Sequence, residues 1–126
     1  MTLFERAAAA KWKRASKANG QDAIYRRGNR TCPLVVCRTK PDKMELAGES
    51  ATVQSKRWDF IILVNDLQFA SLVTQPFLGD EIEIAEVIGT VRYEVIDVEP
   101  YGCWRHHDLS RVTLRVFTQE IEVRHG

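Results

Sequence analysis

The 126-residue sequence lacks several signals that would place it in a specialised class of protein. No apolar run approaches the ~20 residues that a membrane-spanning helix needs. Three cysteines are an odd number and do not favour a disulfide scaffold, so synthesis in a reducing compartment is expected. The basic N-terminal region has neither a long leucine-rich stretch nor a small-residue cleavage site, so we expect no signal peptide.

Signatures of catalysis and of nucleotide binding are also missing. The chain contains no glycine-rich phosphate loop, no G-x-S-x-G elbow and no H-E-x-x-H motif. Its carboxylates are distributed along alternating segments, where nothing singles out a pair for general acid–base chemistry. We therefore expect no enzyme activity, no catalytic residue, no cofactor and no small-molecule substrate.

One cluster, residues 103–108 (CWRHHD), has the composition of a metal site. Cys103 and His106 are three residues apart, a spacing from which both can reach one Zn²⁺. A structural zinc site needs four ligands, and the other two cysteines point to opposite faces of a predicted strand. We therefore predict no metal and interpret the cluster as a loop held by Trp104. A metal-dependent enzyme centred on Cys103, His106 and His107 is the alternative.

Alternation of polar and apolar residues predicts a chain that folds mainly as β-structure. The clearest pattern lies in residues 76–98, where two alternating runs flank Gly89 and predict a β-hairpin. An N-terminal helix is expected because Thr2 and Glu5 have the spacing of a capping box, and it should end near Ala18. The other predicted strands are residues 22–27, 31–39, 51–54, 58–64 and 111–123.

These elements predict one domain, residues 1–126, with the helix in 1–20 and a β domain in 21–126. The expected fold is a small β-barrel or β-sandwich of about six or seven strands with an N-terminal α-helix. Residues 40–50 and 99–110 are polar and should be exposed loops. We expect a short helical turn between the strand at 58–64 and the hairpin, and we expect the helix to place Phe4 and Trp12 on one apolar stripe.

Charge is divided unevenly along the chain. Residues 1–30 are mainly basic, and residues 80–99 are mainly acidic. The simpler interpretation is two solvated faces. The sharper hypothesis is that identical subunits meet head to tail, basic region against acidic hairpin, an arrangement that can close into a ring. The candidate residues for this subunit interface are Arg26, Arg27, Arg30, Glu81, Glu83 and Glu86.

Several short motifs occur in the order seen in a known family. They are Tyr25-Arg26-Arg27-Gly28, Trp58-Asp59-Phe60-Ile61-Ile62, Pro76-x-x-Gly79-Asp80-x-Ile82, Tyr93-Glu94-Val95 and Trp104-Arg105-His106-His107-Asp108. With the amphipathic N-terminal helix, they make the chain resemble a family of small structural proteins of tailed bacteriophages and prophages, found at the head–tail joining or neck position. The chain departs from that pattern at His106-His107, where similar chains carry a second Trp or Ser.

The resemblance implies a non-enzymatic virion protein that is assembled in the host cytoplasm and located in the neck. It would be a head–tail connector or head-completion subunit. Its partners would be copies of itself, in a homo-oligomeric ring, together with the portal or adaptor and the tail proteins. No membrane is implied, and passing contact with DNA is left open. Trp104, Arg105, His106 and His107 are further interface candidates.

Two other functions remain as alternatives. A tail terminator protein uses a similar β core and also forms a ring. A small β-barrel nucleic-acid-binding module belongs to a different class, and it predicts a monomer whose DNA affinity falls with salt. The basic and aromatic residues that would contact nucleic acid in that module are Trp12, Lys13, Tyr25, Arg26 and Arg27. The many acidic residues elsewhere argue against a dedicated nucleic-acid binder.

Overall fold

A computed structural model describes residues 2–41, 46 and 48–125 of the chain. Within these residues the protein is mainly β, and six strands close into a barrel to which a seventh strand is added. The mainly β fold with an N-terminal helix is therefore confirmed, as a barrel rather than a sandwich. None of the helices in the described residues is long and apolar enough to span a membrane.

The elements follow one another with short connections. The helices are α1 (Leu3–Asn19) and α2 (Ala51–Lys56), with a 3-10 turn at Val64–Asp66. The strands are β1 (Gly20–Arg27), β2 (Arg30–Thr39), β3 (Arg57–Leu63), β4 (Gln68–Phe69), β5 (Leu72–Val73), β6 (Glu81–Glu86), β7 (Gly89–Val95), β8 (Trp104–His106) and β9 (Thr113–Arg124).

The barrel wall is antiparallel and runs in the order β3-β2-β1-β6-β7-β9, with β9 pairing back onto β3 to close it. The closing pair extends from Arg57 opposite Gln119 to Leu63 opposite Thr113. β8 pairs with β9 on its other side, from Trp104 opposite Val116 onward. β9 therefore contacts three strands, while β4 and β5 form a separate two-stranded sheet.

The core lies inside the barrel and is built from alternate residues of each strand. The fully buried members include Tyr25, Val36, Phe60, Ile62, Leu67, Ile82, Val95 and Val116. The rings of Phe60 and Tyr93 meet edge to face with centroids 4.9 Å apart, a favourable arrangement for aromatic pairs. The period-2 pattern thus buries one face of each strand, as alternation in the sequence predicts.

The predicted β6–β7 hairpin is confirmed. Glu86 pairs with Gly89 across a two-residue turn formed by Val87 and Ile88. Gly89 has φ +129°, and a Cβ atom there would lie 1.9 Å from the carbonyl oxygen of Arg124. Only glycine fits this backbone and this contact with the neighbouring strand. The hairpin is one part of the wall. β6 pairs with β1 and β7 pairs with β9, whereas β2 and β3 pair with other strands.

The N-terminal helix forms where its capping box predicts. The Thr2 hydroxyl accepts a hydrogen bond from the Glu5 amide at 3.1 Å, and the helix ends at Asn19, one residue beyond the expected Ala18. Trp12 is buried against the outside of the barrel. Phe4, expected on the same stripe, is 77% exposed, so that expectation is wrong. The helix packs against β1 and β2, while Leu3 and Phe4 in its first turn are exposed.

The region between β2 and the hairpin differs from the predictions. Residues 51–54 were expected to form a strand but begin α2, because the Ser50 hydroxyl caps the helix by accepting a hydrogen bond from the Val53 amide at 3.2 Å. The predicted strand at 58–64 is confirmed as β3. After it the expected helical turn is a single 3-10 turn, and the chain continues into the β4–β5 hairpin.

The two predicted loops have different outcomes. Of the segment 40–50, Pro41 is buried and Gly48 exposed, whereas residues 42–45 and 47 lie outside the described residues. The segment 99–110 is not only a loop, because β8 lies within it and pairs with β9. That pairing makes a strand of a segment whose own sequence carries no strong strand pattern, because the predicted strand β9 lies beside it.

Candidate functional site

One end of the barrel is closed by a hydrogen-bonded network around Asp80. The Tyr25 hydroxyl donates to the Asp80 carboxylate at 2.5 Å, and the Arg27 guanidinium donates to it through Nε at 3.1 Å and Nη2 at 2.8 Å. The Phe77 amide donates to the same carboxylate at 3.0 Å. Asp80 is only 5% exposed. The Tyr-Arg-Arg and Pro-x-x-Gly-Asp motifs are therefore two halves of one structural network.

This network fixes the segment before β6 over the end of the barrel. Arg27 lies over the Phe77 ring at 3.8 Å from its centroid and also donates to the Gln75 carbonyl at 2.7 Å. Burial raises the pKa of Tyr25 far above its usual value, and the hydrogen bond to Asp80 raises it further. Tyr25 therefore remains a protonated donor, and the network acts as a structural clamp.

The outer face of the hairpin is covered by ion pairs within the same chain. Arg26 binds Glu83 through two hydrogen bonds of 3.1 and 3.2 Å. Arg92, on the neighbouring strand, contacts both Glu81 and Glu122. The antiparallel pairing of β1 with β6 and of β6 with β7 places these opposite charges side by side. The acidic hairpin is thus largely neutralised before any neighbour approaches.

The opposite end of the barrel carries a second polar cluster. Arg38 points into this end, where it pairs with Glu86 at 2.7 Å and donates to the Tyr93 hydroxyl at 2.8 Å. Its guanidinium lies 4.7 Å from the centroid of the Trp58 ring, and the Lys40 ammonium lies 4.0 Å from the same ring. Cations stacked on an aromatic face in this way close the end of the core.

The predicted charged interface residues therefore have partners inside the subunit. Arg27 is held by Asp80, Arg26 by Glu83, and Glu86 by Arg38. Only Arg30, of the six charged candidates in the described chain, is exposed without an ion pair. Sequence reasoning quoted Asp80 in a motif but did not identify it, Arg38 or Arg92 as ion-pair partners of these candidates. The pairing of β1 with β6 would have shown that Arg26 lies beside the glutamates of the hairpin, because Arg26 is opposite Glu81.

The four candidates from Trp104 to His107 do not form one surface. Trp104 and His106 lie on one face of β8, with their rings edge to face at 5.1 Å, and Trp104 packs against the core. Arg105 points the other way and lies over the Tyr101 ring at 5.4 Å. His107 is exposed beyond the strand. Partial desolvation of this otherwise exposed side chain, together with nearby cations such as Arg115, lowers the pKa of His107, so its imidazole is neutral at pH 7.

The cysteine of this cluster is not poised as a ligand or nucleophile. Cys103 donates its thiol hydrogen to Asp97 at 3.0 Å, and burial together with this carboxylate raises the pKa of Cys103 to about 12. Within the described residues, no group of three or more His, Cys, Asp or Glu side chains is placed to hold a metal ion. Cys32 lies in the core and Cys37 lies under α1, on opposite faces of β2 as predicted.

The last residue of the motif, Asp108, organises the chain before β9. Its carboxylate accepts hydrogen bonds from the Val112 amide at 3.0 Å, and from the Thr113 amide and hydroxyl, each at 2.7 Å. Burial alone would raise the pKa of Asp108, but the hydrogen bonds from Thr113 and Val112 outweigh it and lower the pKa. Asp59 of the Trp-Asp-Phe motif has a comparable role, since it pairs with buried Arg115 at 2.6 Å.

We predict an acid-dependent stability that is specific to Asp108. Because its folded-state pKa lies below the unfolded value of 3.8, its contribution is complete above that value and is lost as pH falls through the folded-state pKa. Asp108→Asn should lower the free energy of unfolding at pH 7 by about 1–3 kcal/mol, since charged acceptors are replaced by a weaker one. Urea unfolding at pH 7 and pH 3 tests this: the loss should be smaller at pH 3, and an equal loss at both pH values would contradict the assignment.

These observations define a class of protein: a small closed β-barrel whose motif residues hold the fold together and whose surface is available for contact. The chain belongs to the phage head-tail joining protein family, whose model matches residues 1–125. No curated protein and no solved structure matches the chain. The family resemblance seen in the sequence is thereby confirmed. The protein is a structural component of a phage virion that interacts with other phage head and tail proteins.

Proposed function

We propose that this chain is a head–tail connector or head-completion subunit, acting as one domain and without enzyme activity. Copies of it assemble into a homo-oligomeric ring in the neck of the virion, between the portal or adaptor and the tail. The observation that carries this proposal is family membership across residues 1–125. Passing contact with DNA is part of the same proposal.

Exposed apolar side chains at both ends of the barrel support a role between two partners. The β6–β7 turn presents Val87, fully exposed, and Ile88, 54% exposed. Leu78 lies before the other end of β6 and is 62% exposed, and Leu72 on the small hairpin is 72% exposed. Two-residue hairpin turns favour Gly, Asn and Asp, so the fold does not call for two β-branched residues at this position. The adjacent pair Val87 and Ile88 is therefore the stronger candidate for a contact site, since neighbouring exposed apolar groups indicate contact more than single ones do.

The interface candidates from the sequence are part of the proposal in a modified form. Arg30 and His107 are exposed and can contact a neighbour directly. Arg26 and Glu83 already pair with each other, so a neighbouring subunit would have to compete with, or extend, this in-chain pair. A contact that extends an existing pair into a network keeps both charges solvated or paired and avoids the cost of leaving one charge alone.

Disruption of the gene in the phage or prophage that encodes this chain tests the proposal. We expect filled heads and complete tails that remain unjoined in electron micrographs, and joined particles when the chain is supplied in trans. Tails of irregular length would identify a tail terminator instead and would overturn the connector assignment. Joined, infectious particles in the absence of the chain would exclude any joining role.

The apolar turn provides a prediction about assembly alone. Val87→Ser with Ile88→Ser should change the free energy of unfolding by no more than about 0.5 kcal/mol, because both side chains are exposed. We expect incorporation into virions to fall at least about tenfold, corresponding to about 1.4 kcal/mol of lost contact. Val53→Ser on α2, where the side chain is 42% exposed, is the matched control. Quantitative immunoblotting of purified virions measures the result; normal incorporation of the double variant would exclude the turn from the interface.

A further inference from the structure

The outer face of α1 carries a stripe of positive charge that the fold does not use. At 100° per residue, its members fall within an arc of about 100°, on the side of the helix away from buried Trp12. They are Arg6, Lys13, Arg14 and Lys17, and all four are exposed. From Arg6 to Lys17 the stripe is about 16 Å long, from the helical rise per residue.

The charge of this helix differs in sign from that of the remaining chain. α1 contains five of the 18 Lys and Arg residues and one of the 17 Asp and Glu residues, Glu5, which gives it a net charge of +4. The rest of the chain therefore carries −3, since the whole chain carries +1. A basic helix on an otherwise acidic protein creates a local positive potential that the overall charge conceals.

Most of the strand arginines differ from this stripe, and Arg30, which is exposed without an ion pair in the described chain, is an exception. Arg26, Arg27, Arg38, Arg92 and Arg115 each have a carboxylate partner in the same subunit. The four cations of the stripe have no ion pair with any part of the chain that the structure describes. Their charge is thus available to a partner without displacing an existing contact.

We propose that the outer face of α1 binds the phosphate backbone of duplex DNA without reading its sequence. The residue between the cations on this face, Ala10, is small, and no aromatic side chain lies among them. Protein interfaces are depleted in lysine and enriched in aromatic residues, whereas backbone-binding surfaces combine Lys and Arg with little else. The composition therefore favours a polyanion over a protein partner.

This site differs from the nucleic-acid surface suggested by the sequence. Tyr25 is fully buried, Trp12 is 8% exposed, and Arg27 is committed to Asp80. Of that earlier set, Lys13 alone belongs to the stripe. The inference goes beyond the proposed ring and does not require it, because each subunit carries the complete stripe.

Fluorescence anisotropy with a labelled 30-base-pair duplex of mixed sequence and the full chain tests the proposal. Four phosphate contacts give a salt slope of about −3.6, so affinity should fall about 150-fold between 50 and 200 mM NaCl. Lys13→Gln with Lys17→Gln removes two contacts and should reduce that fall to about 12-fold. Glutamine retains helix propensity, and circular dichroism checks that the helix is intact.

The matched control is Arg111→Gln with Lys56→Gln, which removes the same net charge from exposed positions outside α1. It should keep the wild-type salt dependence. Absence of binding at 50 mM NaCl, or equal loss in both double variants, would overturn the proposal. So would a helix variant that binds DNA like the wild type but fails to join purified head or tail proteins, since the stripe would then be a protein contact. Loss of DNA binding with normal joining would leave the connector function standing.

Discussion

Asp80→Ala is expected to lower the free energy of unfolding by about 3 kcal/mol, at the lower end of the range for removing one partner of a buried ion pair. The substitution leaves the Tyr25 hydroxyl, the Arg27 guanidinium and the Phe77 amide without their shared acceptor. The Arg27 side chain is 21% exposed and can turn partly to water, which limits the loss of stability. Urea denaturation measures it as a lower midpoint at an unchanged slope.

Two further variants separate the network from a general effect of charge. Asp22→Ala removes an exposed carboxylate from the same strand as Tyr25 and Arg27, and it should change stability by no more than about 0.5 kcal/mol. Tyr25→Phe removes one donor while Arg27 still neutralises Asp80, so about 1 kcal/mol should be lost. If Asp80→Ala cost no more than Tyr25→Phe, the carboxylate would not be the centre of the network.

Gly89→Ala should be similarly severe, for a steric reason. A Cβ atom at φ +129° would lie 1.9 Å from the Arg124 carbonyl oxygen, so the end of β9 must move away from β7. Backbone strain of about 1–2 kcal/mol and overpacking of about 1–3 kcal/mol together predict a loss of about 3 kcal/mol. Thermal unfolding measures the loss, and hydrogen exchange at Thr90 and Arg124 should show that the local pairing has weakened.

Gly28→Ala is the matched control for the close contact. Gly28 also has a positive φ, +60°, but a Cβ atom there meets nothing within 4 Å. The expected loss of stability is then only the backbone strain of about 1–2 kcal/mol. Equal destabilisation by the two substitutions would show that the contact with Arg124 contributes nothing, and that backbone conformation alone selects glycine at position 89.

The parts of the fold that were predicted correctly have local signals. The capping box at Thr2 and Glu5 fixes the start of α1, and alternation on both sides of Gly89 specifies the hairpin. Both patterns depend only on residues that are close together in the sequence. The strand at 58–64 was also predicted, because an apolar run of that length suits a strand with neighbours on both sides.

The failures occur where non-local contacts or a cap decide the structure. Residues 51–54 read as a short strand, but the Ser50 cap starts a helix there. β8 is three residues long and exists through its pairing with β9, which the local sequence does not encode. Phe4 fits the apolar stripe of α1 by spacing, yet its side chain is exposed in the folded chain.

The candidate site shows the same division. Grouping charges along the chain identified a basic and an acidic block that attract each other. Part of this attraction is satisfied within one subunit, since β1 pairs with β6 and Arg26 pairs with Glu83, and the contact between subunits stays a prediction. Arg38 and Arg92 lie outside the basic region 1–30. Their pairing with glutamates of the hairpin is seen only once the strands are folded together. A charge pattern in sequence therefore indicates complementarity but not which molecule supplies the partner.

The closure of the barrel by β9 has a consequence for synthesis on the ribosome. All of its barrel partners are translated first, and β3-β2-β1-β6-β7 can then exist only as an open, curved sheet with both lateral edges unsatisfied. Unpaired edges of this kind invite association with other nascent chains. Pairing of Thr113–Arg124 with β3 and β7 covers both edges, so the protection of this protein against edge-to-edge association depends on the addition of this one strand.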